Sequence, residues 1–95
     1  MMMTEFGRTV RENGTKGTDH GHGGLALVAG GNIRGGRMLG EFDGLSEQAL
    51  NQNRDLPVLV DWRDLLGELM QTSYDFNASQ LKQIFPDRPG HKITL

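Results

Sequence analysis

The chain has 95 residues, of which 14 are glycine and only 36% are hydrophobic, so the core it can bury is thin. Its formal net charge is -2, and its basic residues are scattered along the chain rather than gathered in a block, which argues against nucleic acid as a partner. It has no cysteine, which excludes disulfides, thiolate metal sites and cysteine nucleophiles; any bound metal must be held by oxygen and nitrogen.

No apolar run approaches the roughly 20 residues that a membrane span requires. The opening segment MMMTEFGRTV has neither an apolar signal core nor a small-residue cleavage site. Met1 to Thr4 reads as the end of a strand. Gly7 to Gly24 reads as loop, within the glycine-rich half of the chain. Leu25 to Ala29 (LALVA) is a short apolar run between glycine pairs, the pattern of a buried strand. Arg37 to Phe42, after the turn-rich GGNIRGG, is its expected hairpin partner.

From Asp61 the periodicity changes. Trp62, Leu65, Leu66, Leu69 and Met70 recur at i, i+3, i+4, i+7 and i+8, one apolar stripe of an α-helix with Trp62 in the core. Asp61 is the expected N-cap, and Asp64 and Glu68 suit the positive end of the helix dipole. Asn77 and Gln80 form a capping pair ahead of Leu81, Ile84 and Phe85, a second short helix that Pro86 ends. Residues 87–95 show no periodicity.

The densest chemistry lies in Gly17-Thr18-Asp19-His20-Gly21-His22-Gly23. A regular helix would turn Asp19 and His20 apart by roughly 100°, and a strand would send them to opposite faces. An irregular backbone is needed for both to address one ion, and Gly17, Gly21 and Gly23 are expected to supply it through positive φ. Asp oxygen and His nitrogen suit zinc, and also manganese or iron, so the donors do not name the metal. The alternative is a glycine-rich surface loop carrying a solvated Asp–His pair. The other charged stretch, Thr4-Glu5-Phe6-Gly7-Arg8-Thr9, follows a strand end, where open α/β sheets place ligand-binding loops. Glu5 is a candidate ligand and Arg8 a candidate clamp for an anionic phosphate or sulfate group; the plain alternative is a surface ion pair of little consequence. Neither a dinucleotide fingerprint nor a phosphate-binding P-loop occurs. His91 stands alone in the tail.

In order along the chain, TEFGRTVRENGTKGTDHGHG, LALVAGGNIRGGRMLGEFDGL, RDLPVLVDWRDLLGELM and IFPDRPG resemble the C-terminal part of a bacterial family, domain-of-unknown-function family 1501. The resemblance covers nearly the whole chain, and the series EFGRT, GTDHGHG, GG-x-I-x-GGR and DLPV-x-x-D is specific. It implies a place in the alkaline phosphatase and sulfatase superfamily, with metals at the C-terminal ends of sheet strands. Asp19 and His20 match the superfamily's Asp-His-Gly ligand pattern, and His22 is the nearest further histidine. Glu5 stands where relatives carry an acidic ligand, although it is followed by Phe6 and not by a histidine.

The resemblance also implies that the nucleophile and the first ligands lie in an N-terminal part outside this chain. On that footing the expected fold is α/β, a partial alkaline phosphatase-like domain. Its expected parts are a strand end and metal-site loop at 1–24, strands or a hairpin at 25–42, a helical segment at 58–85 and an irregular tail at 86–95. The expected function is the C-terminal portion of a metal-dependent hydrolase for phosphate or sulfate esters, inactive alone, with a non-catalytic scaffold as the alternative. The expected cofactor is a divalent metal, zinc first, then manganese, iron or calcium. The expected partners are the N-terminal part of the same domain and an anionic ester, and intact relatives are expected to be exported.

Overall fold

The computed structural model of the chain describes every residue from Met1 to Leu95. The fold is mixed α/β, with four two-residue strands followed by two helices: β1 (Met2–Met3), β2 (Gly7–Arg8), β3 (His20–Gly21), β4 (Ala26–Leu27), α1 (Trp62–Tyr74) and α2 (Ala78–Ile84). The chain forms two compact units. Met1–Ala29 with Met38–Leu59 hold the strands, and Gly30–Arg37 with Val60–Leu95 hold the helices.

In the strand unit β1 pairs antiparallel with β4, Met2 opposite Leu27 and Met3 opposite Ala26. Thr4 extends the pairing, its N–H donating to the Leu25 carbonyl at 2.9 Å while its hydroxyl accepts from the Leu25 N–H at 2.9 Å. Between them in sequence, β2 pairs with β3, Gly7 opposite Gly21 and Arg8 opposite His20. These backbones run close together because glycines occupy the contact points. A Cβ on Gly7 would stand 1.8 Å from the Gly23 carbonyl oxygen, far inside van der Waals contact. The segment from Leu50 to Leu56 closes the unit. Leu50 is buried, Gln52 and Asn53 turn the chain in left-handed conformations, and Val10 and Gly23 donate to the carbonyls of Arg54 and Leu56, both at 2.9 Å.

Three sequence expectations change here. The Leu25–Ala29 run does contain a strand, β4, but Leu25 and Leu27 are 60% and 53% exposed, and the partner is Met2–Met3 rather than Arg37–Phe42. The 37–42 segment has no regular structure. A continuous apolar run signals extended backbone but not which surface covers it, and a two-stranded ribbon without a layer on it leaves both faces open. The stretch from Gly7 to Gly24 is not all loop, since it contains β2 and β3. Finally, Gly17, Gly21 and Gly23 do not lie in the left-handed region; the non-glycine Lys16 does, at φ 62°. Gly21 and Gly23 serve close approach instead, because a Cβ there would meet the Asp55 Cβ at 2.7 Å or the Pro57 carbonyl oxygen at 2.5 Å.

In the helical unit the 3.6-residue stripe produces α1 as expected, with Leu65 buried and Leu66, Leu69 and Met70 half-buried. Trp62 departs from the core role. It is half exposed, and its ring meets Phe85 edge-on at 5.7 Å. Asp61 is the N-cap, accepting the Arg63 N–H at 2.8 Å. Asn77 and Gln80 make both hydrogen bonds of a capping box at the start of α2, each at 2.9 Å, and Leu81 is almost wholly buried. The aperiodic tail is tied back to α1 by Asp64, itself buried, whose carboxylate accepts from the N–H groups of Gly90 and His91 at 2.9 and 3.1 Å. No helix is long and apolar enough to cross a membrane.

The cap makes acid sensitivity predictable. The Arg63 guanidinium donates to both Asp61 oxygens, at 2.9 and 2.7 Å, and holds that carboxyl at about 2, below its ordinary 3.8. A carboxylate with a depressed folded pKa contributes stability above its unfolded value and loses it as pH falls through the folded one. The start of α1 is therefore expected to fray between about pH 4 and pH 2. Far-ultraviolet circular dichroism of wild type and Asp61→Asn checks this. Asp61→Asn, which keeps a capping oxygen without the charge, is expected to flatten that part of the profile.

Candidate functional site

The loop that carries the candidate ligands is fixed at its backbone and open at its side chains. Asp19 is held from both sides by Thr9, whose N–H donates to the Asp19 carbonyl and whose hydroxyl accepts the Asp19 N–H, both at 3.0 Å. The approach to it is shaped by Asn13, whose side-chain oxygen accepts from the backbone N–H groups of Thr15 and Gly17 at 3.0 Å each. The Asn13 amide also donates to the Asp19 carboxylate at 3.0 Å. This internal Asx turn holds the reversal between β2 and β3.

His20, opposite Arg8 on β3, lays its ring on Phe6 with centroids 3.9 Å apart and planes inclined by 28°. Arg8 lies over the same Phe6 ring at 5.2 Å and donates to the Thr18 carbonyl at 2.9 Å. Phe6, Arg8 and His20 therefore share one face of the ribbon, as alternation along β2 and cross-strand pairing to β3 require. Glu5 is exposed.

His22 is anchored to a residue that the sequence reading did not single out. Asp55 is only 1% exposed, and one oxygen of its carboxylate accepts the backbone N–H of His22 at 2.5 Å and lies 3.0 Å from the ring Nδ1. Asn51 lies 3.3 Å from the other oxygen through its amide nitrogen. The His22 N–H is the chief reason that the Asp55 carboxyl sits below its ordinary value. The His22 side chain remains 65% exposed. The one signal of Asp55 in the sequence was its place at the head of Asp55-Leu56-Pro57-Val58, within a motif quoted for resemblance alone.

A shallow pocket of about 200 Å³ opens beside Asp19, lined by Thr9, Arg11, Glu12, Asn13, Asp19 and Arg54. Arg11 is already engaged, with Glu47 at 2.6 Å and the Asn53 carbonyl at 2.7 Å. The donor types of Asp19, His20, His22 and Glu5 fit a divalent cation. In this structure no three acidic or histidine side chains gather as a metal-binding group. Asp19 turns to Asn13, the His20 ring to Phe6, and His22 Nδ1 to Asp55.

Comparison with known proteins bears on residues 1–85, which match the sequence profile of the family described as Protein of unknown function (DUF1501). No curated protein matches the chain, and no solved structure does.

Proposed function

The chain belongs to the DUF1501 family, and on that premise we propose that it is the C-terminal portion of an alkaline phosphatase-like, metal-dependent hydrolase acting on phosphate or sulfate esters. Asp19, His20 and His22 supply part of the ligand set, with Glu5 as a further ligand and Arg8 holding the anionic group of the substrate. The observation that carries this reading is the combination of fixed backbone and open side chains at positions 19–22. The backbone at Asp19 and His22 is hydrogen-bonded to Thr9 and Asp55, while the side chains of Asp19, His20 and His22 stay accessible to solvent.

A bound divalent cation, zinc first among zinc, manganese, iron and calcium, would polarise an ester oxygen and stabilise charge in the transition state. The residues of this chain position that chemistry. Phe6 holds the Arg8 guanidinium and the His20 ring on one face, where a planar cation can grip an oxyanion. The remaining ligands and the nucleophile come from an N-terminal part of the same domain. The exposed Met2, Met3, Leu25 and Leu27 of the β1–β4 ribbon support such a partner, since a bare apolar ribbon gains by joining a larger sheet.

The 95-residue chain alone is expected to show no turnover of phosphate or sulfate monoesters. The protein at its full natural length is expected to show turnover that a chelator abolishes. Metal-dependent turnover by the isolated chain, or none by the full-length protein, would contradict the reading. A second reading, a binding scaffold that has lost the chemistry, is favoured by the hydrogen bond that the Asp19 carboxylate accepts from Asn13. It predicts metal-free protein whose stability does not change in Asp19→Ala or His20→Ala.

A further inference from the structure

The geometry points to Asp55 as the positioning residue of this loop: its buried carboxylate selects the tautomer of His22 that leaves Nε2 bare and turned outward as an electron-pair donor. The case rests on counting donors and acceptors. An ionised carboxylate only accepts hydrogen bonds, so the ring nitrogen facing it at 3.0 Å must carry the proton. Nδ1 is then the N–H, and in the neutral ring Nε2 on the far side is left with its lone pair. The Asn51 amide, 3.3 Å from both His22 Nδ1 and the second Asp55 oxygen, has its acceptor in that oxygen, because Nδ1 already bears hydrogen.

Three donors therefore surround Asp55: the backbone N–H of His22, its ring N–H and the Asn51 amide. An alanine at position 55 offers no acceptor, so all three donors lose their partner. Burial makes the arrangement strict, because at 1% exposure water has little access to replace a lost partner. Fixing an imidazole through a carboxylate on its other nitrogen is how histidine ligands are oriented and made more basic toward a metal. In that use the inference rests on the cation reading above, although the tautomer itself can be observed without any metal.

The test is long-range nitrogen–proton correlation spectroscopy of the imidazole side chains in the metal-free 95-residue chain at neutral pH, followed by calorimetric titration with zinc chloride. Wild type is expected to show His22 as the Nδ1–H tautomer. Asp55→Ala, which removes the acceptor, is expected to shift it to the Nε2–H form that free imidazole prefers, and to weaken zinc binding by roughly 10- to 100-fold. Asn51→Ala, which keeps the carboxylate, is expected to keep the Nδ1–H signal. A merely structural Asp55 would alter stability and leave the tautomer alone. The Nε2–H form in wild type overturns the proposal without reference to any variant, and so does an unchanged tautomer in a folded Asp55→Ala chain. A tautomer that depends on Asp55, with no zinc bound by either chain, supports the positioning role and means that the ligands of this chain do not hold zinc without the remaining ones.

Discussion

Alanine at position 7 is expected to dismantle the strand unit and with it the loop that holds Asp19, His20 and His22. The added Cβ would lie 1.8 Å from the carbonyl oxygen of Gly23 and 2.7 Å from its carbonyl carbon, both backbone atoms with no rotamer through which to escape. Relief requires the Gly7 and Gly23 backbones to part by more than an ångström. That movement would break the Gly23 hydrogen bond to Leu56 and shift the adjacent His22 away from Asp55. Overpacking of this kind costs about 1 to 3 kcal/mol, and a backbone-on-backbone clash belongs at or above the upper end. Chemical denaturation is expected to show a loss of about 3 kcal/mol, with the β2–β3 amides losing protection in hydrogen exchange. Gly14→Ala is the control, since its Cβ meets nothing within 4 Å and should leave stability within about 0.5 kcal/mol of wild type or slightly above it. Equal effects at the two positions would show that close approach at Gly7 is not what the fold depends on.

Truncation of Leu81 to alanine is the corresponding experiment in the helical unit. Leu81 is 1% exposed, and Leu65 at 9% is the only other large apolar residue buried there. With so few buried side chains the unit cannot redistribute the loss. Leucine-to-alanine changes in cores destabilise by about 2 to 5 kcal/mol, depending on how far the cavity collapses. A loss of about 3 kcal/mol is expected, together with lower helicity, because a helix as short as α2 is not stable without tertiary contact. A loss below about 1 kcal/mol would mean that α2 is held by its capping box alone.

How much of this was legible beforehand depended on the range of the interaction. The helices and their caps were, because Asp61, the Trp62-to-Met70 stripe and the Asn77–Gln80 pair act within one or two turns of their own positions. The extended character of LALVA was also legible, while its partner was not. Met2–Met3 lies more than twenty positions away, and nothing in the apolar run distinguishes it from the nearer Arg37–Phe42. The β2–β3 ribbon gave no signal because Gly7 and Gly21 have no β preference; they pair because nothing else fits between the neighbouring backbones. For the same reason the glycines of the 17–23 loop suggested positive φ when Gly21 and Gly23 in fact serve contact.

At the candidate site, local reading singled out Asp19, His20, His22, Glu5 and Arg8 and passed over Asp55. A single carboxylate between Arg54 and Leu56 has no periodicity to mark it. Its burial comes from a tertiary event, the packing of the Asn51–Asp55 turn against the His22 loop.

The most direct test is elemental analysis of the protein purified at its full natural length, beside Asp19→Ala, His20→Ala and His22→Ala. If the 17–23 loop holds a divalent cation, wild type should retain zinc or a comparable metal in stoichiometric amount, and each substitution should lower that content markedly. Wild type devoid of metal, or equal metal in all four proteins, would contradict a metal-binding role for this loop.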